Sequence, residues 1–166
     1  MQETPGVEFS SGSLGHGLSV SVGMALAGKM DKKKYRVYTV LGDGEMAEGS
    51  NYEAMIAATH YKLDNLCATV DLNGLQISGS TKDVMDTSDL AEKFLAFGWN
   101  VCEANGNDLK VYEAAKTVFG KPTLVLAHTV KGKGVSFMEN NPNWHHGVMD
   151  AEKYAAAIKD IEGVLK

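Results

Sequence analysis

Tyr35-Arg36-Val37-Tyr38-Thr39-Val40-Leu41-Gly42-Asp43-Gly44-Glu45-Met46-Ala47-Glu48-Gly49 decides the fold: an aromatic, β-branched run is cut off by a glycine turn that carries a carboxylate. The run reads as a buried strand. Leu66-Cys67-Ala68-Thr69-Val70 reads the same way and ends at Asp71-Leu72-Asn73-Gly74. Between them, Ser50-Asn51-Tyr52-Glu53 has the spacing of a capping box, and Tyr52, Met55, Ile56 and Thr59 recur at helical spacing. Strand, helix, strand predicts a parallel pair. Its right-handed crossover leaves both carboxyl ends on one edge, so Asp43 and Asn73 face one crevice although 28 residues separate Gly44 from Asn73. The class is α/β, a parallel sheet flanked by helices.

That edge is where such sheets bind ligands, and the residue types narrow the ligand. Mg²⁺ takes about six oxygens near 2.1 Å and usually few of them from protein, leaving places for phosphate and water. Asp43, Asn73 and one backbone carbonyl suffice for the protein's share. Gly42-Asp43-Gly44-Glu45-Met46-Ala47 also fits the dinucleotide-binding pattern G-x-G-x-x-A after a strand. In that fold, however, the backbone approaches a pyrophosphate directly, and Asp43 would set a carboxylate against phosphate oxygens. A bridging metal removes the repulsion. The plainer reading is an acidic glycine turn with a capping Asn.

The longer motif, Gly42 to Gly49 with Asp71-Leu72-Asn73-Gly74-Leu75-Gln76-Ile77, resembles the thiamine diphosphate motif of transketolases, specifically the separately encoded N-terminal subunit of some prokaryotes. Three further stretches agree and stand in family order. Gly12-Ser13-Leu14-Gly15-His16-Gly17-Leu18-Ser19 looks like the glycine turn beside the cofactor, Thr129-Val130-Lys131-Gly132-Lys133-Gly134 like a loop after a strand, and Trp144-His145-His146-Gly147 like a later histidine-glycine. The resemblance spans roughly Pro5 to Ile161, and the diphosphate motif is its specific part.

Position by position, the resemblance implies a thiamine diphosphate-binding fold in which Asp43, Asn73 and the carbonyl of Leu75 hold Mg²⁺. Gly44 would offer its amide to the diphosphate. Gly12 and Leu14 match backbone positions against the cofactor rings, and Ile77 matches an apolar contact there. The candidate catalytic residues are His146, matching a histidine near the diphosphate and reacting centre, and Glu48, matching an acid at the subunit interface. The implied reaction is transfer of a two-carbon ketol unit from a ketose phosphate to an aldose phosphate, as in the pentose phosphate pathway, with the cofactor supplying the carbanion chemistry. Another thiamine enzyme, such as a deoxyxylulose-phosphate synthase or a 2-oxoacid dehydrogenase component, shares the metal motif. The Ser13-Leu14-Gly15 turn and the Lys131 to Gly134 loop favour transketolase.

The resemblance also implies what this stretch lacks. The glutamate that activates the aminopyrimidine belongs to a pyrimidine-binding domain, expected on a partner chain, the transketolase C-terminal subunit, in a homo- or hetero-oligomer. Met1 falls inside the family's first domain, after its upstream histidine segments, so a shortened domain is expected that alone binds cofactor poorly or not at all. A non-catalytic assembly domain of the same fold is the remaining alternative.

Composition agrees with one cytoplasmic domain over residues 1–166. The 166 residues, 44% hydrophobic, are enough for one core. A net charge of -5 argues against a nucleic-acid surface, and no apolar stretch approaches the length of a membrane helix. Cys67 and Cys102 lie in apolar strand-like runs without C-x-x-C spacing and read as buried thiols.

The β/α alternation continues. Leu18, Val22 and Leu26 mark an early helix; Leu90, Phe94 and Phe97 mark another, ending at Gly98. Trp99 to Ala104 and Thr123 to His128 read as strands around a helix from Leu109 to Phe119. A last helix from about Asp150 carries the stripe Tyr154, Ile158, Ile161, Leu165, expected to pack on the core or on another chain. Asn73 to Thr87 and Val130 to Val148 read as long loops, the second bringing His146 to the ligand edge. His60 reads as surface or capping, His128 as structural without a partner, and Lys131, Lys133 and Lys32-Lys33-Lys34 as solvated. Met24, Met30, Met46 and Met55 read as core or interface filler, and His16 stands where many transketolases have glutamine.

Overall fold

The computed structural model describes residues 4–108 and 118–164. Four parallel strands form the main sheet in the order β1 (Val37–Gly42), β2 (Leu66–Leu72), β6 (Thr123–His128), β5 (Asn100–Asn105), with α1 (Gly17–Met30), α2 (Gly49–His60) and α4 (Leu90–Ala96) among the helices. Val37 lies opposite Leu66, Leu41 opposite Val70, and Val70 opposite Leu126. Side chains alternate across a strand, so Val37, Leu41, Leu66, Ala68, Val70, Leu124 and Leu126 share one face. They join Leu18, Ala25, Met46, Met55, Phe94 and Trp99 in the core. The opposite face buries Cys67, Thr123, Val125 and Ala127, but on β1 it leaves Tyr38 65% and Val40 75% exposed. Central parallel strands are normally covered on both sides; among the described residues β1 has β2 as its one neighbour in the sheet.

Strand expectations hold within two residues, and β6 matches its expected span, Thr123 to His128. The helix stripe at Leu90 and Phe94 is buried, and Gly98 caps α4 at φ +86°. Trp99 then stacks edge-on against Phe94, 5.1 Å between centroids, and its indole N–H donates to the Met55 carbonyl at 3.1 Å. The buried pair thereby satisfies its one polar atom.

Several local expectations do not hold. Ser50 and Glu53 form no capping box: α2 is capped by Glu48 without a side-chain bond, and Ser50 Oγ donates instead to the Gly15 carbonyl at 2.6 Å. The buried stripe of α2 is Asn51, Ala54, Met55 and Ala58, whereas Ile56 is exposed and Tyr52 and Thr59 are half-buried. α1 packs directly on α2, and Met55 is the one large apolar side chain that α2 buries. Asn73 to Thr87 is not structureless; it holds the antiparallel hairpin β3 (Leu75–Gln76) and β4 (Gly79–Ser80), then the single turn α3 (Thr81–Val84), which Ser80 caps.

In α5 (Ala151–Val164) only Ala157 is buried, so Tyr154, Ile158 and Ile161 do not pack on this chain's core; Leu165 lies outside the described residues. Most of the helix expected from Leu109 to Phe119 also lies outside them. Cys67 is buried, Cys102 only half-buried, and both are free thiols. Met46 and Met55 are core, while Met24 and Met30 face solvent. Among the described residues no helix is long and apolar enough to cross a membrane.

Candidate functional site

At the carboxyl end of β1 the chain turns through Asp43 into a single 3-10 turn, Gly44–Ala47, before α2 begins. A dinucleotide fold would instead run its glycine turn straight into the helix whose N-terminus meets the pyrophosphate. Asp43 is 2% exposed, and its carboxylate accepts two amides, Gly44 N–H at 2.8 Å and Gly74 N–H at 2.6 Å. The second bond brings the loop after β2 onto the loop after β1, so the structure joins the two strand ends that the crossover predicted. Asn73 is next to it, its Oδ1 accepting the Leu75 N–H at 3.0 Å. Gly74 sits at φ +74°, and its carbonyl accepts from the Thr81 N–H, which closes the hairpin that fixes Leu75.

Burial pushes the Asp43 carboxyl above its usual range. The Gly74 and Gly44 amides counter that rise, and the nearby Asp71 carboxylate adds to it. A buried carboxylate next to a second carboxylate is poorly matched to its surroundings until a cation arrives. Asp71 is itself held by the Thr129 hydroxyl, a tie between the ends of β2 and β6.

The donor set fits magnesium with diphosphate. One carboxylate, one amide oxygen and a backbone carbonyl are all hard oxygens, and they leave most of an octahedron to phosphate and water. Among the described residues no group of three or more His, Cys, Asp or Glu is placed to hold a metal. The Gly44 amide is engaged by the Asp43 carboxylate, so offering it to a phosphate requires that carboxylate to turn toward a cation. Gln76 lies over Gly44, 3.1 Å from where a Cβ would stand.

The remaining expected residues are less concentrated. Gly12 and Leu14 lie in an exposed turn before α1, Leu14 56% exposed, and Ile77 is 61% exposed at the tip of the β3–β4 hairpin. Glu48 is exposed at the N-terminus of α2. His146 is exposed in the loop after β6, its ring 6.3 Å from that of His145, and the structure ties it to neither Asp43 nor Asn73. That loop is ordered by Phe137 packing on Trp144 at 5.2 Å and by the Asn140 amide donating to the Lys131 carbonyl. Burial, then Lys131 and His146, push the His145 imidazole below its ordinary value. Lys133 is not wholly solvated; it meets Glu139 at 3.6 Å. His128, expected to lack a partner, has its Nε2 2.8 Å from Glu103 Oε2 at the same sheet edge.

Glu45 carries no role in the sequence reading, yet its carboxylate accepts both Gly15 N–H at 2.9 Å and Gly42 N–H at 3.0 Å. No short-range pattern marks it: Gly42 is the last residue of β1 and Asp43, not Gly42, caps the 3-10 turn, so the capping-box spacing does not apply. A cavity of about 930 Å³ runs along the outer edge of β1 and reaches Ser13, Leu14 and Glu45, but its lining includes neither Asp43 nor Asn73.

Residues 1–164 match the family model described as transketolase, thiamine diphosphate binding domain. The chain belongs to that family. It is 50% identical over 163 residues to one of the named subunits of the apulose-4-phosphate transketolase of Phocaeicola vulgatus, covering 96% of this chain and 58% of the relative. It is 40% identical over 166 residues to a 6-deoxy-6-sulfo-D-fructose transketolase subunit of a Clostridium species, covering 98% and 60%. The crystal structure of transketolase from Campylobacter jejuni superposes with a TM-score of 0.87 at 29% identity, over 95% of this chain and 26% of that one. The chain thus spans a little under two thirds of the curated subunits it matches and about a quarter of the solved transketolase. These likenesses bear out the transketolase resemblance and the thiamine diphosphate-binding fold.

Proposed function

We propose that this domain binds thiamine diphosphate through a Mg²⁺ ion held by Asp43, Asn73 and the Leu75 carbonyl, and that it works as the N-terminal part of a two-subunit transketolase. The observation that carries the reading is the buried Asp43 carboxylate, bonded to Gly74 beside Asn73. Gly44 would donate to the diphosphate, and Gly12, Leu14 and Ile77, exposed around that edge, would lie against the cofactor. Bound thiamine diphosphate supplies the carbanion chemistry of two-carbon ketol transfer. The chain's part is to orient the cofactor and exclude water, with His146 exchanging a proton near the reacting centre and Glu48 meeting the partner's site.

Relatives whose names make them one subunit of a transketolase support a second chain, which we take to be the pyrimidine-domain subunit in a cytoplasmic assembly of at least two chains. Their names carry a phosphate or a sulfo group on a sugar, which supports an anionic ketose donor. We place residues 1–166 in one domain. Calorimetry on the domain assembled with its pyrimidine-domain partner tests the core of this reading: thiamine diphosphate with MgCl2 should give a saturable heat that EDTA and Asp43→Ala each remove. Binding that survives either treatment would overturn the metal assignment.

A further inference from the structure

Two glycine turns lie at this edge, and one side chain holds them together. Glu45 Oε1 accepts the Gly15 N–H at 2.9 Å and Oε2 accepts the Gly42 N–H at 3.0 Å, so one carboxylate bolts the turn before α1 to the end of β1. Its own backbone is fixed by Asn51, fully buried, whose Nδ2 donates to the Glu45 carbonyl at 2.8 Å. The other polar group of Gly15 is taken as well, its carbonyl accepting from Ser50 Oγ at 2.6 Å. Gly15 stands at φ +88°, where a Cβ would come within 2.5 Å of Glu48 Cβ. The turn carrying Gly12 and Leu14 is therefore anchored at Gly15 to the turn carrying Asp43.

We propose that Glu45 is a positioning residue that sets where the Gly12–Leu14 turn stands relative to the metal site, and with it the fit of the thiamine rings rather than of the diphosphate. The inference rests on the cofactor reading above. Glu45 does not touch the reacting atoms; its action passes through Gly15. A carboxylate is required because it offers two acceptors to two amides, while a glutamine turns one of them into a donor facing an N–H. Charge-assisted bonds of this kind are stronger than neutral ones.

The test compares two ligands by calorimetry with MgCl2 on the chain assembled with its pyrimidine-domain partner: thiamine diphosphate and inorganic pyrophosphate. Glu45→Gln should weaken thiamine diphosphate about tenfold while pyrophosphate stays within about twofold. Ser50→Ala, which removes the second tie to Gly15, should shift the same ratio in the same direction, and it decides the matter if circular dichroism shows Glu45→Gln unfolded. Equal losses for both ligands, or an unchanged ratio, overturn the inference and leave the site reading standing. A wild-type assembly of the chain with its pyrimidine-domain partner that binds neither ligand overturns the site reading, and the inference with it.

Discussion

The Asp43 carboxylate accepts the Gly74 amide at 2.6 Å across 31 positions of sequence, joining the loops that leave β1 and β2. Burial sets the direction of its titration, holding the carboxyl above the ordinary 3.8. The folded chain therefore keeps this proton more tightly than the unfolded chain does. The associated stability is complete below 3.8 and is lost as pH rises through the raised native value. A ¹³C carboxyl NMR titration should give Asp43 a midpoint above 3.8 in metal-free buffer and a lower one with Mg²⁺ and pyrophosphate. A metal-free midpoint at or below 3.8 contradicts the burial argument.

Asp64 works in the opposite sense. Burial would raise its carboxyl, but the Gly120 amide at 3.0 Å and Lys29 Nζ at 2.9 Å outweigh that and hold it below 3.8. Its stabilisation is present above 3.8 and disappears as pH falls through the lowered native value. Asp64→Asn should cost about 1 kcal/mol in urea unfolding at neutral pH and nothing in strong acid. A deficit that persists unchanged in acid would show that shape, not charge, is what Asp64 contributes.

Because Ser50 bonds Gly15 rather than the start of α2, Glu53 has no capping role. Glu53→Ala should change stability by less than about 0.5 kcal/mol, against roughly 1 kcal/mol for losing a true cap. Thermal melts of the purified variant decide between the two.

Gly98 holds φ +86°, and a Cβ there would lie 2.9 Å from Thr59 Cγ2, while Thr59 Oγ1 donates to the Phe97 carbonyl at 2.7 Å. Gly98→Ala should cost more than about 1 kcal/mol, through both backbone strain and the clash. Adding Thr59→Ser removes the methyl and keeps the hydroxyl, so the double variant should recover part of the loss. Strict additivity of the two changes would remove the clash from the explanation.

Strands were the most legible elements. β6 reads directly from Thr123 to His128 because five of its six residues are buried and the run is apolar almost throughout. The inward face of α2 was only partly legible: Met55 is buried as its spacing suggests, but hydrophobic periodicity also weights the exposed Ile56, and the helix buries Asn51, Ala54 and Ala58 instead. Similarly, α5 has a clear apolar stripe, but periodicity says which residues share a face and not what that face meets. His128 had no visible partner because Glu103 lies 25 positions away along the chain, and only the β5–β6 register brings them together.

The sequence by itself determined the strand-turn-helix order, the carboxylate in the first glycine turn and the family likeness, because these depend on covalent neighbours and short-range spacing. Only the tertiary structure decided the partners: Asp43 with Gly74, Glu45 with Gly15, and Ser50 with Gly15 instead of its own helix. A donor bonds to the acceptor that packing places within about 3 Å, whatever its distance along the chain. The α1–α2 contact and the β1–β2 register, not the local motif, set those distances here.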